Sequence, residues 1–406
     1  MSALVLLTAG ALFGASAAPR TVVSAGARVE TRVREPAVIS SNDERVGTDI
    51  DATARGSLTY GWRRSQLDIY YEPRFTYTDI TGIGARDLLH SAGFTLALTA
   101  RRFSLNLFQF ASYGNRWFTL TSASDVNPVT GMPVVQPLPA PTSILYISSL
   151  TGFGTRYQLT RRTGFSTQTS YGLSGGANSE SQRVQPLTVG PAVSMQIDWL
   201  ATRLDTVGPQ VFASYTRSNF GDFRPDVVSA SVGGLGFWNR SWHRTMTSSL
   251  GVGAVVVRQL DPRERTDVFP QANGLFTYAT PLGEARGMLR LDANAALRSI
   301  VSPLTGTAQQ TLTTSVNAAW TRRYLTLLGS LGWTRPIGDI ETTRVSLLFL
   351  QAGSQYAITR RVMWELGLRY AQQSVTGFGS PFATGSSGNQ VAAFTALSWN
   401  SLPLRL

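Results

Sequence analysis

The residues that could carry out catalysis are few and lie far apart. Residues 172–176, Gly-Leu-Ser-Gly-Gly, match the G-x-S-x-G pattern of a serine nucleophile at a strained turn from a strand to a helix, but here a strand runs into a flexible loop. The two histidines are His90, which could serve a lipid hydrolase at a membrane surface, and His243, next to Trp242 in a short connection. The chain has no cysteine and no H-E-x-x-H, P-loop or calcium-repeat pattern. We therefore predict no enzyme activity, no metal and no cofactor.

The charged residues are spaced for a different kind of chemistry. Arg28, Glu30 and Arg32 occupy alternate positions, with Val29 and Val33 on the opposite face of the same strand. Such a polar face offers paired donors to carboxylate, sulfate or sugar hydroxyl groups, or forms ion pairs within the wall itself. If strands of this kind close into a barrel, the polar face lines its lumen. The alternation then predicts the following lumen-lining residues: Arg28, Glu30, Arg32, Asp51, Arg55, Asp68, Glu72, Arg74, Arg290, Asp292, Arg298, Glu365 and Arg369.

The composition limits the elements that could hold these residues. Of the 406 residues, 43% are hydrophobic and 15% are charged, whereas roughly 25% charged residues are usual in a soluble domain. Much of the exterior is therefore not expected to face water. Beyond the first 18 residues, no apolar run approaches the roughly 20 residues that a membrane-spanning helix needs. An all-β membrane protein remains.

Alternation with a period of two indicates long strands. In residues 48–62, Ile50, Leu58, Tyr60 and Trp62 share one face. A soluble β-sandwich would produce the same alternation with the faces reversed. Strand length, aromatic residues near the strand ends and alternating short and long connections favour a transmembrane antiparallel up-and-down β-barrel. The predicted strands are 22-34, 48-62, 66-77, 90-101, 103-118, 143-159, 163-174, 189-203, 209-217, 227-238, 244-258, 268-280, 285-300, 309-320, 324-335, 342-358, 362-373 and 389-400. Three of them, 103-118, 143-159 and 209-217, have mixed faces, so sixteen strands is the alternative to eighteen.

The short connections share a repeated chemistry. Five of them contain two consecutive arginines, and in barrels of this kind the short turns face the periplasm. These diarginine turns are predicted either to form a basic periplasmic ring, which attracts an anionic polymer or docks a soluble partner, or to be ordinary solvated turns. They contain Arg63, Arg64, Arg101, Arg102, Arg161, Arg162, Arg322, Arg323, Arg360 and Arg361. Among the long connections, the proline-rich segment 121–142 is expected to be a constricting loop or a surface loop.

The N-terminal segment predicts the destination of the protein. Residues 1–17 are apolar and end in Ala-Ser-Ala, as a signal peptide with its cleavage site does. Residues 18–406 are then one barrel domain in the outer membrane of a Gram-negative bacterium. All 36 basic residues are arginine and the net charge is +12, but basic residues that alternate with acidic ones inside a barrel do not indicate nucleic acid.

From residue 22 to residue 400 the chain resembles the integral outer-membrane β-barrels, by pattern instead of by a diagnostic motif. Eighteen hairpin strands, an arginine-rich lumen and the lack of a plug or helical-repeat domain look more narrowly like the barrel porins of polysaccharide export. That resemblance implies an export channel for a secreted polysaccharide, acting with a periplasmic polysaccharide export protein. The alternatives are a general or anion-preferring diffusion porin and a surface adhesion or structural barrel. Outer-membrane lipid, lipopolysaccharide, and polysaccharide or anionic solutes are the expected contacts.

Overall fold

The computed structural model describes residues 20–34, 47–79, 84–118, 142–223, 225–261, 264–282, 287–301, 308–337, 344–376 and 387–405. They form eighteen long antiparallel strands, of which β5, β6 and β9 correspond to the three predicted strands with mixed faces. The strands are β1 (Arg20–Arg34), β2 (Gly47–Trp62), β3 (Ser65–Asp79), β4 (Gly84–Thr99), β5 (Phe103–Phe118), β6 (Thr142–Gln158), β7 (Thr163–Gly176), β8 (Leu187–Leu200), β9 (Asp205–Asn219), β10 (Val227–His243), β11 (Met246–Asp261), β12 (Arg265–Pro281), β13 (Met288–Val301), β14 (Ala308–Arg322), β15 (Leu325–Ile337), β16 (Arg344–Ala357), β17 (Val362–Thr376) and β18 (Ser387–Asn400).

The sheet closes on itself. Each strand pairs with its neighbours in sequence, and β1 also pairs with β18, from Gly26 opposite Asn400 to Arg34 opposite Ala392. A two-residue strand, β19 (Leu404–Arg405), continues this seam beside Val22 and Val23. Closure gives every long strand a hydrogen-bonded neighbour on both sides. The predicted antiparallel barrel is confirmed with eighteen strands, and the sixteen-strand alternative is wrong.

Most strands are longer than the alternation predicted, whereas β8, β13 and β16 are shorter. The largest differences are in β4, which begins six residues before the predicted position 90, and in β10, which runs to His243 instead of ending at 238. His243 therefore ends a strand, and the connection after it is the two-residue turn 244–245. The strands pair through their backbone N–H and C=O groups, whereas the prediction used the alternation of apolar side chains. Pairing can therefore continue beyond the residues at which the alternation stops.

All short turns lie at one end of the barrel. They are 63–64, 100–102, 159–162, 201–204, 244–245, 323–324 and 358–361, together with 282–287, of which residues 283–286 lie outside the described part of the chain. Each diarginine pair lies at this short-turn end, as the sequence predicted. The chain enters β1 and leaves β18 at the same end. The predicted signal segment 1–17 and almost all of the predicted loop 121–142 lie outside the described residues.

Pairing between some neighbours stops before the long-loop end. In the described residues, β12 and β13 are paired only up to Ala272 opposite Leu297, although β12 continues to pair with β11 and β13 with β14. Strands β4 and β5 separate in the same way above Leu89 and Gly114. Each separation begins about ten residues from the short-turn end, which is the length of tilted strand that crosses the hydrocarbon of a bilayer. Unpaired backbone groups are thus confined to levels where water can reach them.

Helix is a minor component of the fold. One α-helix, α1 (Ser179–Val184), lies between β7 and β8, and one 3-10 turn, Gly221–Phe223, follows β9. The predicted flexible loop after Ser174 thus contains a short helix. In the parts of the chain that the structure describes, no helix is long and apolar enough to cross a membrane.

Candidate functional site: the polar lumen

The two faces of the wall differ in chemistry and in burial. On β1, Val29 and Val33 are 49% and 45% exposed, whereas Glu30, Arg32 and Arg34 between and beside them are 6%, 8% and 2% exposed. A charged side chain on the convex side of a single barrel would be open to the surroundings, so the buried charged residues must lie on the concave side. The apolar face therefore points outward.

The outward face has the layout of a membrane belt. Aliphatic side chains such as Val252 (68% exposed) and Leu331 (45% exposed) cover its middle. Exposed aromatic residues flank this band: Trp62, Trp199, Trp364 and Trp399 towards the short turns, and Phe75, Tyr113, Tyr171 and Tyr215 towards the long loops. An apolar band between two aromatic girdles is the surface of an outer-membrane barrel. The protein is accordingly an integral barrel of the outer membrane of a Gram-negative bacterium, with its short turns in the periplasm.

Glu30 is the centre of an ion-pair cluster inside the barrel. Its carboxylate accepts hydrogen bonds from Arg28 and Arg32 at 2.7 Å each and from Arg369 of β17 at 2.9 Å. Arg28 also contacts Glu365 at 2.7 Å. The cluster therefore ties β1 to β17 across the closing strand β18.

Two aspartates extend the cluster to β2 and β3. Asp51 accepts hydrogen bonds from Arg74 at 3.0 Å and from the Thr76 hydroxyl at 2.6 Å, and it lies 3.5 Å from Arg32. Asp49 accepts from the Arg34 Nε at 2.7 Å. We call the residues of these two paragraphs, other than Thr76, the lumen network. It comprises five arginines (Arg28, Arg32, Arg34, Arg74 and Arg369) and four carboxylates (Glu30, Asp49, Asp51 and Glu365).

The structure distributes the thirteen predicted lumen residues over several groups. Seven belong to the lumen network: Arg28, Glu30, Arg32, Asp51, Arg74, Glu365 and Arg369. Arg55 and Glu72 form a neighbouring pair at 3.6 Å, and Arg290 and Asp292 form a separate pair at 2.8 Å. Asp68 is held by Thr59 and Gln66. Arg298 is exposed on the inner wall and has no ion pair with a described residue.

Sequence reasoning missed two members of the network, Arg34 and Asp49. Both continue the spacing that identified Arg32 and Asp51, by one more alternate position each. The signal was therefore present. Arg34 is the last residue of the predicted strand 22-34, and Asp49 is the second residue of the predicted strand 48-62. Both lay so close to a predicted strand end that they were not included in the lining.

Inward aromatic rings lie flat against the wall. Phe108, Phe110, Phe212 and Phe394 each stand directly opposite a glycine of the next strand, respectively Gly152, Gly93, Gly233 and Gly367. A methyl group on any of these glycines would come within 2.5–2.6 Å of the facing ring. The absence of a side chain thus leaves space for the ring on the wall, so the ring does not project into the lumen.

The remaining inner wall is largely uncharged. Ser91 and Ser112, Ser214 and Ser231 form cross-strand hydroxyl pairs at 2.9 and 2.7 Å. Between β13 and β16, a recess of about 220 Å³ is lined by Asp292 and by polar residues that include Asn317, Ser330 and Gln351. The lumen therefore has a charged sector around β1 and a hydroxyl-rich and amide-rich sector elsewhere.

Helix α1 folds inward at the long-loop end. Its Val184 packs against Ile144 and Tyr146, which lie on the inner face of β6. The Ser181 hydroxyl accepts a hydrogen bond from the Leu145 backbone N–H at 3.1 Å, and Asn178 caps the first turn by accepting from the Ser181 N–H at 2.8 Å. The helix is thus fixed to the inner wall at the long-loop end of the barrel.

The three candidate catalytic residues do not meet. Ser174 faces inward, is 1% exposed and shares a hydrogen bond of 3.0 Å with the Tyr146 hydroxyl. His90 is on the outer face, where its Nδ1 lies 2.6 Å from the Tyr71 hydroxyl at the level of the outer aromatic girdle. His243 is at the opposite, short-turn end and contacts Thr245. No nucleophile and base are within reach of each other in this set.

Replacing Arg34 with Ala is expected to lower the free energy of unfolding by about 3 kcal/mol, because the buried Asp49 carboxylate would keep only the longer ion pair with Arg32, at 3.9 Å. Urea unfolding of the barrel from lipid vesicles measures this loss. The matched control is Arg290→Ala, since the Arg290 side chain is 54% exposed and its pairing contributes less than about 1 kcal/mol. Equal effects of the two substitutions would contradict a stabilising role of the lumen network.

Comparisons with known proteins give no family. No protein-family model matches the chain, and no curated protein matches it. Solved structures with a similar shape include Pseudomonas aeruginosa OccK5 (OpdH), with 13% identity, 95% of this chain and 98% of that chain covered and a TM-score of 0.45. Acinetobacter baumannii OccAB3 shows 9% identity, 94% and 99% coverage and a TM-score of 0.44. The ferric-catecholate import receptor Fiu from E. coli K12 shows 8% identity, 94% and 81% coverage and a TM-score of 0.46.

Proposed function

We propose that the protein is a passive outer-membrane channel for small hydrophilic solutes. The observation that carries this proposal is the inversion of the wall: apolar residues face outward, while polar and charged residues line the inside along the whole height of the barrel. An eighteen-stranded barrel is wide enough to hold water. The inward Arg55, Arg290 and Arg298 are exposed, whereas Glu30, Arg32, Arg34, Asp49 and Asp51 of the lumen network are buried.

Helix α1 is the proposed constriction of this channel. It lies against the inner face of β6, where the Ser181 hydroxyl accepts a hydrogen bond from the Leu145 N–H and Val184 packs against Ile144 and Tyr146. The exposed side chains of Glu180 and Arg183 lie on the same helix and bring both signs of charge to the narrowed section. Arg34 and Asp49 of the lumen network lie at the same long-loop end of the barrel as α1.

Replacing residues 177–184 with Asn-Gly is expected to raise the single-channel conductance in planar bilayers, by a factor on the order of two if α1 sets the narrowest section. The Gly176 N–H already bonds to the Gln185 carbonyl at 2.9 Å, so a two-residue hairpin turn can join the strands. Ser179→Ala keeps the helix and serves as the control. No channel activity in the wild-type protein would reject the proposed function, and unchanged conductance after the replacement would reject the role of α1.

The lumen charges favour a weak preference for anions. The network contains one more arginine than carboxylates, and most of its charge is neutralised within 4 Å. Arg298 adds an inward cation without an ion pair to a described residue. An arginine in an ion pair acts on passing ions mainly as part of a dipole. Arg298 therefore contributes more to the electric field in the lumen than a paired arginine of the lumen network does.

Replacing Arg298 with Ala is expected to shift the reversal potential in a salt gradient towards zero by several millivolts, because one uncompensated positive charge is lost. The shift should be largest at low ionic strength, where screening is weak. Arg298→Lys should retain the preference. The matched control is Arg335→Ala, which removes a positive charge on the outer face near the same end of the barrel. An equal shift with this control would contradict the assignment to Arg298.

Export of a polysaccharide with a periplasmic partner is the second candidate function. The flat aromatic rings opposite glycines and the hydroxyl-rich sector favour it, since sugars offer apolar faces for stacking and hydroxyl groups for hydrogen bonds. Neutral oligosaccharides should then interrupt the current, with shorter interruptions in Phe108→Ala and Phe212→Ala. Loss of surface polysaccharide on deletion of the gene would support export. Unperturbed current together with intact surface polysaccharide would reject it.

A further inference from the structure

The short turns contain an excess of arginine that the barrel itself does not use. All ten arginines of the diarginine turns are exposed, as are Arg203 and Arg244, and in the described part of the chain none of them forms an ion pair or a side-chain hydrogen bond. Near the long-loop end some exposed arginines are paired, Arg217 with Asp226 at 2.6 Å and Arg265 with Asp267 at 2.9 Å, and four, Arg86, Arg183, Arg298 and Arg335, have no ion pair with a described residue. Unpaired positive charge is thus concentrated at the periplasmic end.

The turns do not need arginine for their conformation. In 159–162, 201–204 and 358–361 a threonine hydroxyl accepts two backbone N–H bonds and fixes the turn, as Thr160 does from Arg162 and Thr163. In the two-residue turns, Arg63 and Arg323 adopt φ values of 39° and 49°. Arginine in that region costs about 1 kcal/mol, and glycine or asparagine would be favoured there. The arginine side chains of the turns are therefore not explained by the conformation of the backbone, and we expect them to interact with groups outside the chain.

The same turns expose apolar side chains. Leu159, Leu204, Tyr324 and Ile358 are 49%, 47%, 65% and 54% exposed within them. Trp62 immediately precedes the first diarginine pair and is 53% exposed. Turns that extended into the aqueous periplasm would gain nothing from exposed leucine, isoleucine and tyrosine. Apolar and cationic groups at one level are typical of the boundary between acyl chains and headgroups.

We propose that the diarginine turns bind the phosphate groups of anionic phospholipids in the periplasmic leaflet and thereby set the depth of the barrel. A guanidinium group donates two parallel hydrogen bonds to a phosphate diester, and an adjacent arginine adds charge at the same level. The exposed apolar residues of the turns contact the upper part of the acyl chains. This inference rests on the membrane placement in the proposed function.

Spin-labelled phosphatidylglycerol and phosphatidylcholine test the proposal directly, with the full barrel folded into phosphatidylcholine vesicles. The wild type should bind phosphatidylglycerol on the order of fivefold more tightly than phosphatidylcholine, the ratio that corresponds to about 1 kcal/mol for an arginine near an anionic lipid. Changing Arg161, Arg162, Arg360 and Arg361 to Gln should reduce this ratio towards one, since two threonine-fixed turns lose their charge while they keep their backbone.

Two controls separate lipid binding from other causes. Lys at the same four positions should keep the preference, and a variant with Gln at the paired residues Arg217, Arg258 and Arg265 should behave as the wild type. Equal binding of both lipids by the wild type, an unchanged ratio in the Gln variant, or loss of the ratio in the Lys variant overturns the proposal. So does salt-sensitive binding of soluble polyglutamate to the turns without a lipid preference. If the barrel does not enter the membrane at all, neither lipid is immobilised, and the proposed function fails instead.

Discussion

Every backbone N–H and C=O group of this chain that lies at the level of the hydrocarbon must find a partner within the protein, because lipid tails offer none. Closure of β1 on β18 meets this requirement at the one place where a sheet would otherwise have two free edges. The ladders between β4 and β5 and between β12 and β13 separate only about ten residues from the short turns, above the membrane belt. The requirement for pairing therefore defines both the ring and its height.

In the closed barrel, successive side chains of each strand point alternately to the lipid outside and to the lumen inside. The charged side chains lie on the inner face. Without ion pairs, like charges would repel one another and buried charges would lack a compensating partner. The lumen network solves this problem around Glu30, where three arginines converge from β1 and β17. Glycines such as Gly93 and Gly152 solve a different problem, since they give Phe110 and Phe108 space against the wall. Ion pairs thus compensate the charges of the inner face, and glycines leave space for its aromatic rings.

Sequence reasoning recovered the barrel, its strand number and the end at which the diarginine turns lie. A period of two over strands of this length allows few other folds, and one residue of slip would reverse the faces. It could not recover α1, because six residues without an apolar period resemble any polar loop, and the contact of Val184 with Ile144 and Tyr146 is not local. It also could not tell which charges pair. Arg290 and Arg298 have the same spacing and type, yet only Arg290 has a neighbouring aspartate at 2.8 Å.

Neighbouring residues of one strand face lipid and water in turn. The chain contains no cysteine, so single cysteines can be placed at positions 327–331 of β15 and spin-labelled without background. Labels at Leu327, Gly329 and Leu331 should collide with oxygen dissolved in the lipid, whereas labels at Leu328 and Ser330 should collide with a water-soluble nickel chelate. Accessibility that does not alternate, or that alternates with the opposite parity, would contradict this arrangement.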